Sequence, residues 1–70
     1  MEFSLKINGV EQKFAEDIPS TLTELLKRLK IDQATVVAEV DGQVIARIDF
    51  EKTPLASGSS IELVRFVGGG

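Results

Sequence analysis

The chain has 70 residues and a formal net charge of −3, and it contains no cysteine, histidine, tryptophan or tyrosine. This inventory excludes a cysteine nucleophile, a Ser–His pair, a disulfide and the usual zinc sites, and the acidic balance argues against nucleic-acid binding. A chain of this length forms one domain with little material for a walled active-site cavity, so we expect no catalysis by its own side chains and no metal site.

No targeting or membrane segment is expected from the sequence. Residues 1–6 have neither a basic segment nor a long apolar run, so they do not read as a signal peptide. No stretch approaches the roughly 20 apolar residues that a membrane-spanning helix needs. We therefore expect a cytoplasmic protein that makes no membrane contact.

The first elements in the chain are a predicted hairpin and a helix. Apolar and polar residues alternate over residues 3–7, which predicts a strand, and Asn8-Gly9 then predicts a tight turn into a return strand at residues 10–14. A stripe at helical spacing follows, made of Leu22, Leu25, Leu26 and Leu29. Thr21 with Glu24 fits a capping box, so we predict a helix over residues 22–30.

The second half of the chain contains only predicted strands and loops. Alternation over residues 36–40 predicts a strand, Asp41-Gly42 a second tight turn, and residues 43–46 a short return strand. Residues 48–55, which include Pro54, are predicted to be irregular. After a turn at residues 57–59, the last strand is expected at residues 61–66.

These elements predict an α+β fold in two layers. A mixed sheet of four to five strands is covered on one face by one main helix, with the first and last strands adjacent and parallel. We expect residues 1–67 to form a single domain and residues 68–70 to form a flexible tail.

The glycine run at the end of the sequence is its most informative segment. Three glycines at one chosen place arise by chance roughly three times in 10,000. A backbone without Cβ atoms is slender enough to enter another enzyme's site, so Gly68 and Gly69 could serve as a leash for the carboxylate of Gly70. The alternative is a frayed terminus or an expression remnant.

The strand before the glycines supports a docking role. Ile61 and Leu63 match the core face, so alternation turns Val64 and Phe66 toward the face that the helix leaves open. We predict that Val64 and Phe66, with Val67, bind a partner. The alternative is that Phe66 packs over a sheet edge.

The chain resembles the ThiS family, the ubiquitin-like sulfur carriers of thiamine biosynthesis, over nearly its whole length. The matching segments are Asn8-Gly9, residues 21–29 (TLTELLKRL), residues 36–47 (VVAEVDGQVIAR) and residues 57–70 (SGSSIELVRFVGGG). The family commonly has Pro where Ala46 stands, and often Asp-Gly-Asp where Ser57-Gly58-Ser59 stands. Neither departure touches the tail, but both leave partner choice open.

The resemblance implies a β-grasp fold and a defined chemistry. A ThiF-like enzyme would adenylate the Gly70 carboxylate with its own ATP and Mg²⁺, and sulfur from a cysteine desulfurase would convert it to a thiocarboxylate. A ThiG-like thiazole synthase would accept the sulfur. Arg47 matches a family position and is a candidate partner contact, although we favour its interpretation as a solvated surface arginine or a cap on nearby carbonyls.

Other functions stay open at this stage. A MoaD-like carrier of molybdopterin synthesis shares the fold and the Gly-Gly end, but tends to have prolines before it, and a carrier for another sulfur metabolite is a further alternative. A plain binding module and a protein modifier are different classes again. An enzyme would have to use carboxylate pairs such as Asp49 with Glu51 or Glu16 with Asp17, which are typical of solvated loops.

Overall fold

Residues 2–66 form a five-stranded mixed sheet with one α-helix packed against one face. The computed structural model describes residues 2–66, and its elements are β1 (Phe3–Ile7), β2 (Val10–Phe14), α1 (Leu22–Arg28), β3 (Val36–Val40), β4 (Gln43–Ile45) and β5 (Ser60–Arg65). The sheet order is β2-β1-β5-β3-β4. Strands β1 and β5 are parallel and the other neighbours antiparallel. The predicted α+β fold and the adjacent parallel first and last strands are confirmed.

Both predicted hairpin turns are present. Asn8 and Gly9 have φ angles of 51° and 83°, and Asp41 and Gly42 have φ angles of 51° and 86°. Positive φ at both central residues matches the twist of the flanking strands, which is why Asn-Gly and Asp-Gly are favoured there.

The hydrophobic core lies between the helix and the inner face of the sheet. Leu22, Leu25 and Leu26 of α1 are buried. They share one cluster with the inward residues of the strands and with Phe50 and Leu55 from the long connection, namely Leu5, Ile7, Phe14, Val36, Ala38 and Ile61. The leucine stripe therefore packs on the sheet as predicted, since so short a helix is unstable alone.

The helix begins where predicted and ends earlier. Thr21 caps it by accepting a hydrogen bond from the Glu24 N–H at 3.3 Å. The Glu24 carboxylate accepts from the Ser20 hydroxyl at 2.6 Å, so only half of the capping box is formed between Thr21 and Glu24. The helix ends at Arg28 instead of Lys30, because Lys30 has a φ of 59° and reverses the chain.

The prediction that residues 48–55 are irregular is partly wrong. Arg47–Lys52 forms a 3₁₀ helix, which brings Phe50 into the core at 1% exposure. A second 3₁₀ helix, Gln33–Thr35, precedes β3. Smaller corrections concern strand ends, since β4 ends at Ile45 and β5 runs one residue earlier than predicted. Of these differences, the 3₁₀ helix Arg47–Lys52 is the one that buries Phe50, and no periodicity in its sequence indicates it.

Candidate functional site

Strand β5 presents two hydrophobic side chains on the face of the sheet opposite the helix. Val64 is 59% exposed and Phe66 is 43% exposed, whereas Ile61 is fully buried and Leu63 packs against the core. This is the alternation predicted from the sequence. Their role in binding a partner stays a prediction.

Neighbouring strands extend this apolar surface. Val37 of β3 lies directly opposite Val64 in the antiparallel register, and both are exposed. Val44, on the edge strand β4, is also exposed and faces the same side, because it pairs with Glu39. We call Val37, Val44, Val64 and Phe66 the open-face patch. Sequence reasoning did not select Val37 or Val44, although the alternation in β3 already turned Val37 outward.

The main chain is held in the sheet up to the last described residue. The Phe66 N–H donates to the Thr35 carbonyl at 3.1 Å, one residue beyond the end of β5. The predicted tail residues Gly68, Gly69 and Gly70, and the predicted contact Val67, lie outside the described residues. The patch therefore leads directly into the glycine segment along the chain.

Two carboxylates lie beside the patch. Glu39 of β3 and Glu62 of β5 are opposite each other in the register, on the same face as Val37 and Val64. Like charges that face each other across two strands are destabilising. In the described part of the chain, the one ion pair joins Lys13 to Glu2, at 3.6 Å, so neither of these carboxylates is neutralised by a salt bridge there.

The structure separates Arg47 from the patch. The Arg47 side chain is exposed and its Nη2 donates to the Ala34 carbonyl at 3.4 Å. It borders a groove together with Thr23 and Lys27 of the helix, and so lies on the helix side of the molecule. This geometry agrees with the interpretation of Arg47 as a cap on a nearby carbonyl.

The carboxylate pairs considered for catalysis are all in solvent. Asp49 and Glu51 lie exposed on the 3₁₀ helix, and Glu16 and Asp17 lie exposed in the loop before α1. Across residues 2–66, no cluster of three or more potential ligands is placed to hold a metal ion. Over the same range, no helix has the length and apolarity needed to cross a bilayer.

Comparison with known proteins decides the family. A sequence model of the ThiS family matches residues 4–70. This chain belongs to the ThiS family. The sulfur carrier protein ThiS of Bacillus subtilis (strain 168) is 30% identical over 66 residues, which cover 94% of this chain and 98% of that protein.

Solved structures of ThiS-family proteins share the fold. The crystal structure of a thiamine biosynthesis protein (ThiS) from Geobacter metallireducens matches with a TM-score of 0.79 and 36% identity, over 97% of this chain and all of the other. An NMR structure of a thiamine biosynthesis protein from that organism matches with a TM-score of 0.79 and 35% identity, over 97% and 88% of the two chains. The sheet and helix described above are thus the β-grasp fold of the ThiS family. The family match also extends through Gly70, so the glycine segment belongs to the shared pattern.

Proposed function

We propose that this chain is a sulfur carrier of thiamine biosynthesis and that the Gly70 carboxylate is the group that carries the sulfur. The observation that supports this most directly is the ThiS-family match through residue 70. The exposed Val64 and Phe66, immediately before the glycine segment, add a surface through which a partner could hold the chain. In this proposal the chain is a substrate of other enzymes and has no turnover of its own.

The chemistry follows from the low reactivity of a free carboxylate toward nucleophiles. A ThiF-like adenylyltransferase, using its own ATP and Mg²⁺, would join the Gly70 carboxylate to AMP with release of pyrophosphate. The persulfide sulfur supplied by a cysteine desulfurase would attack the acyl carbon, and AMP would leave. A thiol would then cleave the acyl disulfide to give the C-terminal thiocarboxylate, whose sulfur a ThiG-like thiazole synthase would accept.

The residues of this chain have two roles in that sequence. The open-face patch would bind the activating enzyme, because exposed Val and Phe side chains gain from burial against a partner. The four residues after Phe66 can extend at most about 14 Å, so a partner gripping the patch has the carboxylate within that distance. A side chain on Gly68 or Gly69 would widen the part of the chain that enters the active site.

Mass spectrometry tests the proposal. The intact chain is incubated with a ThiF-like enzyme, ATP, Mg²⁺, a persulfide donor and a thiol, and its mass should rise by the difference between sulfur and oxygen. The matched control lacks only Gly70 and should fold normally while gaining no sulfur. Normal adenylation of the shortened chain would refute the assignment of Gly70.

The acceptor is tested in a second reaction. The thiocarboxylate form should transfer sulfur in the presence of a ThiG-like thiazole synthase and return to its original mass. Transfer to a molybdopterin synthase instead would place the chain with the MoaD-like carriers. Conjugates to lysine side chains would show a protein modifier, and unaltered partner binding without any modification would show a plain binding module.

A further inference from the structure

Strand β5 is a central strand for only part of its length. It pairs with β3 along most of its length, from Ile61 opposite Val40 to Arg65 opposite Val36. It has only two register pairs with β1, Ser60 with Lys6 and Ile61 with Ile7. Strand β1 ends at Ile7, where the Asn8-Gly9 turn reverses the chain. Beyond Ile61, the side of β5 that faced β1 is therefore a sheet edge.

Specific backbone groups point toward this edge. The Phe66 N–H bonds to Thr35 and the Ser60 carbonyl accepts from Asp41, so even-numbered residues of β5 bond to β3. Odd-numbered residues then face the other way. The Leu63 N–H is satisfied by the Asn8 side-chain oxygen at 2.7 Å. Within residues 2–66, the Leu63 carbonyl and both polar groups of the Arg65 backbone have no strand to pair with.

An apolar groove lies beside the same edge, on the helix side. Its volume is about 410 Å³. Its apolar lining comes from the residues just after the helix and from three neighbouring strands, namely Leu29, Ile31, Ile7, Val36 and Leu63. Asn8 and Arg65 complete its border. A strand placed beside residues 63–65 of β5 would therefore lie next to the groove on the helix side of the sheet. On the other side of the sheet it would lie next to Val64 and Phe66.

We infer that an extended segment of the activating partner adds to the sheet beside residues 63–65 of β5 as an extra strand. This inference rests on the proposed function. Unpaired N–H and C=O groups at a sheet edge are a template for an extended chain. Alternate side chains of that segment would enter the groove, so the segment should carry apolar residues at every second position.

The continuity of the chain favours the partner as the occupant. The edge runs directly into the segment that ends at Gly70, so strand pairing here would fix the direction in which the carboxylate is presented. This chain's own residues 67–70 are Val-Gly-Gly-Gly and offer one apolar side chain for a groove lined by five apolar residues. A second copy of this chain is a competing occupant that the test detects.

The test removes one backbone N–H donor that does not take part in the strand pairing of the fold. Arg65→Pro deletes the Arg65 N–H, which bonds to neither β1 nor β3, and proline is tolerated in strands where its missing N–H faces an edge. Arg65→Ala is the matched control, because it removes the side chain and keeps the N–H. We expect Arg65→Pro to weaken binding to the ThiF-like enzyme about tenfold or more relative to Arg65→Ala, measured by titration calorimetry without ATP.

Amide exchange on the unaltered chain gives a second measurement, which stands even if Arg65→Pro does not fold. The Arg65 amide should exchange rapidly with solvent in the free protein and become protected in the complex. Equal affinities for the two variants, or an Arg65 amide that exchanges as fast in the complex as in the free chain, would overturn the inference. So would a dimer of the free chain that Arg65→Pro abolishes. Sulfur transfer to Gly70 would still occur in each case, which keeps these outcomes distinct from failure of the proposed function.

Discussion

The variant Phe66→Ala tests whether Phe66 is a docking residue or a core residue. Phe66 is 43% exposed and lies at the margin of the sheet, so its removal should leave no closed cavity. Complete burial of a Phe side chain contributes about 1.5–3 kcal/mol, and little more than half of this side chain is covered. We expect Phe66→Ala to lower the free energy of unfolding by about 1 kcal/mol, or about 4–8 °C in Tm.

Phe50→Ala is the matched control, because it makes the same change at a residue that is 1% exposed. Truncation of a buried Phe costs about 3–5 kcal/mol, since a cavity remains. A 70-residue chain has a total stability of roughly 4–10 kcal/mol. Phe50→Ala should therefore leave the chain close to unfolding, while Phe66→Ala should remain folded.

Far-UV circular dichroism with urea gives the stabilities, because the chain has no tryptophan or tyrosine for fluorescence. Binding to the ThiF-like enzyme is measured in parallel for folded variants. Phe66→Ala should weaken binding at least tenfold if the ring is an interface anchor, an effect of about 1.4 kcal/mol. A stability loss equal to that of Phe50→Ala, with affinity unchanged, would refute the reasoning and make Phe66 a structural residue.

Three further predictions concern stability and are measured by the same urea unfolding. Lys30→Gly should stabilise the protein by about 0.5–1 kcal/mol, because Lys30 has a φ of 59° that glycine adopts without a Cβ clash; a loss of stability would contradict this. Glu62→Lys should stabilise by about 0.2–1 kcal/mol by facing Glu39 with a positive charge, and a gain that persists undiminished in concentrated salt would rule out that cause. Thr21→Ala should destabilise by about 1 kcal/mol through loss of the helix cap, whereas Thr21→Ser should be nearly neutral; equal values for the two variants would show that the cap bond contributes nothing.

Local patterns predicted most of the elements because each depends on nearby residues. Asn8-Gly9 and Asp41-Gly42 indicated two turns whose positive φ angles the structure shows. The leucine stripe indicated the helix, but its end depended on Lys30 in the left-handed region, where glycine is the usual signal. The 3₁₀ helix that buries Phe50 follows from tertiary packing, and its sequence has no period that indicates it.

Only the part of the candidate site that depends on nearby residues could be predicted from the sequence. Alternation within β5 was enough to expose Val64 and Phe66. The addition of Val37 required the register between β3 and β5. The hydrogen bond from the Leu63 N–H to the Asn8 side chain joins residues 55 positions apart. The unpaired end of β5 therefore could not be predicted from the sequence, because it depends on where the short strand β1 lies in the sheet.

The position of β5 determines how the fold would bear a pulling force applied at its C-terminal end. Tension applied beyond Phe66 acts along β5, which lies between β1 and β3 and has five register pairs with β3. Hydrogen bonds between antiparallel strands run perpendicular to the strands, so the load is shared by many bonds at once and does not unzip them singly. Tension applied at this end would therefore have to break several of these bonds together before the hydrophobic interior opens.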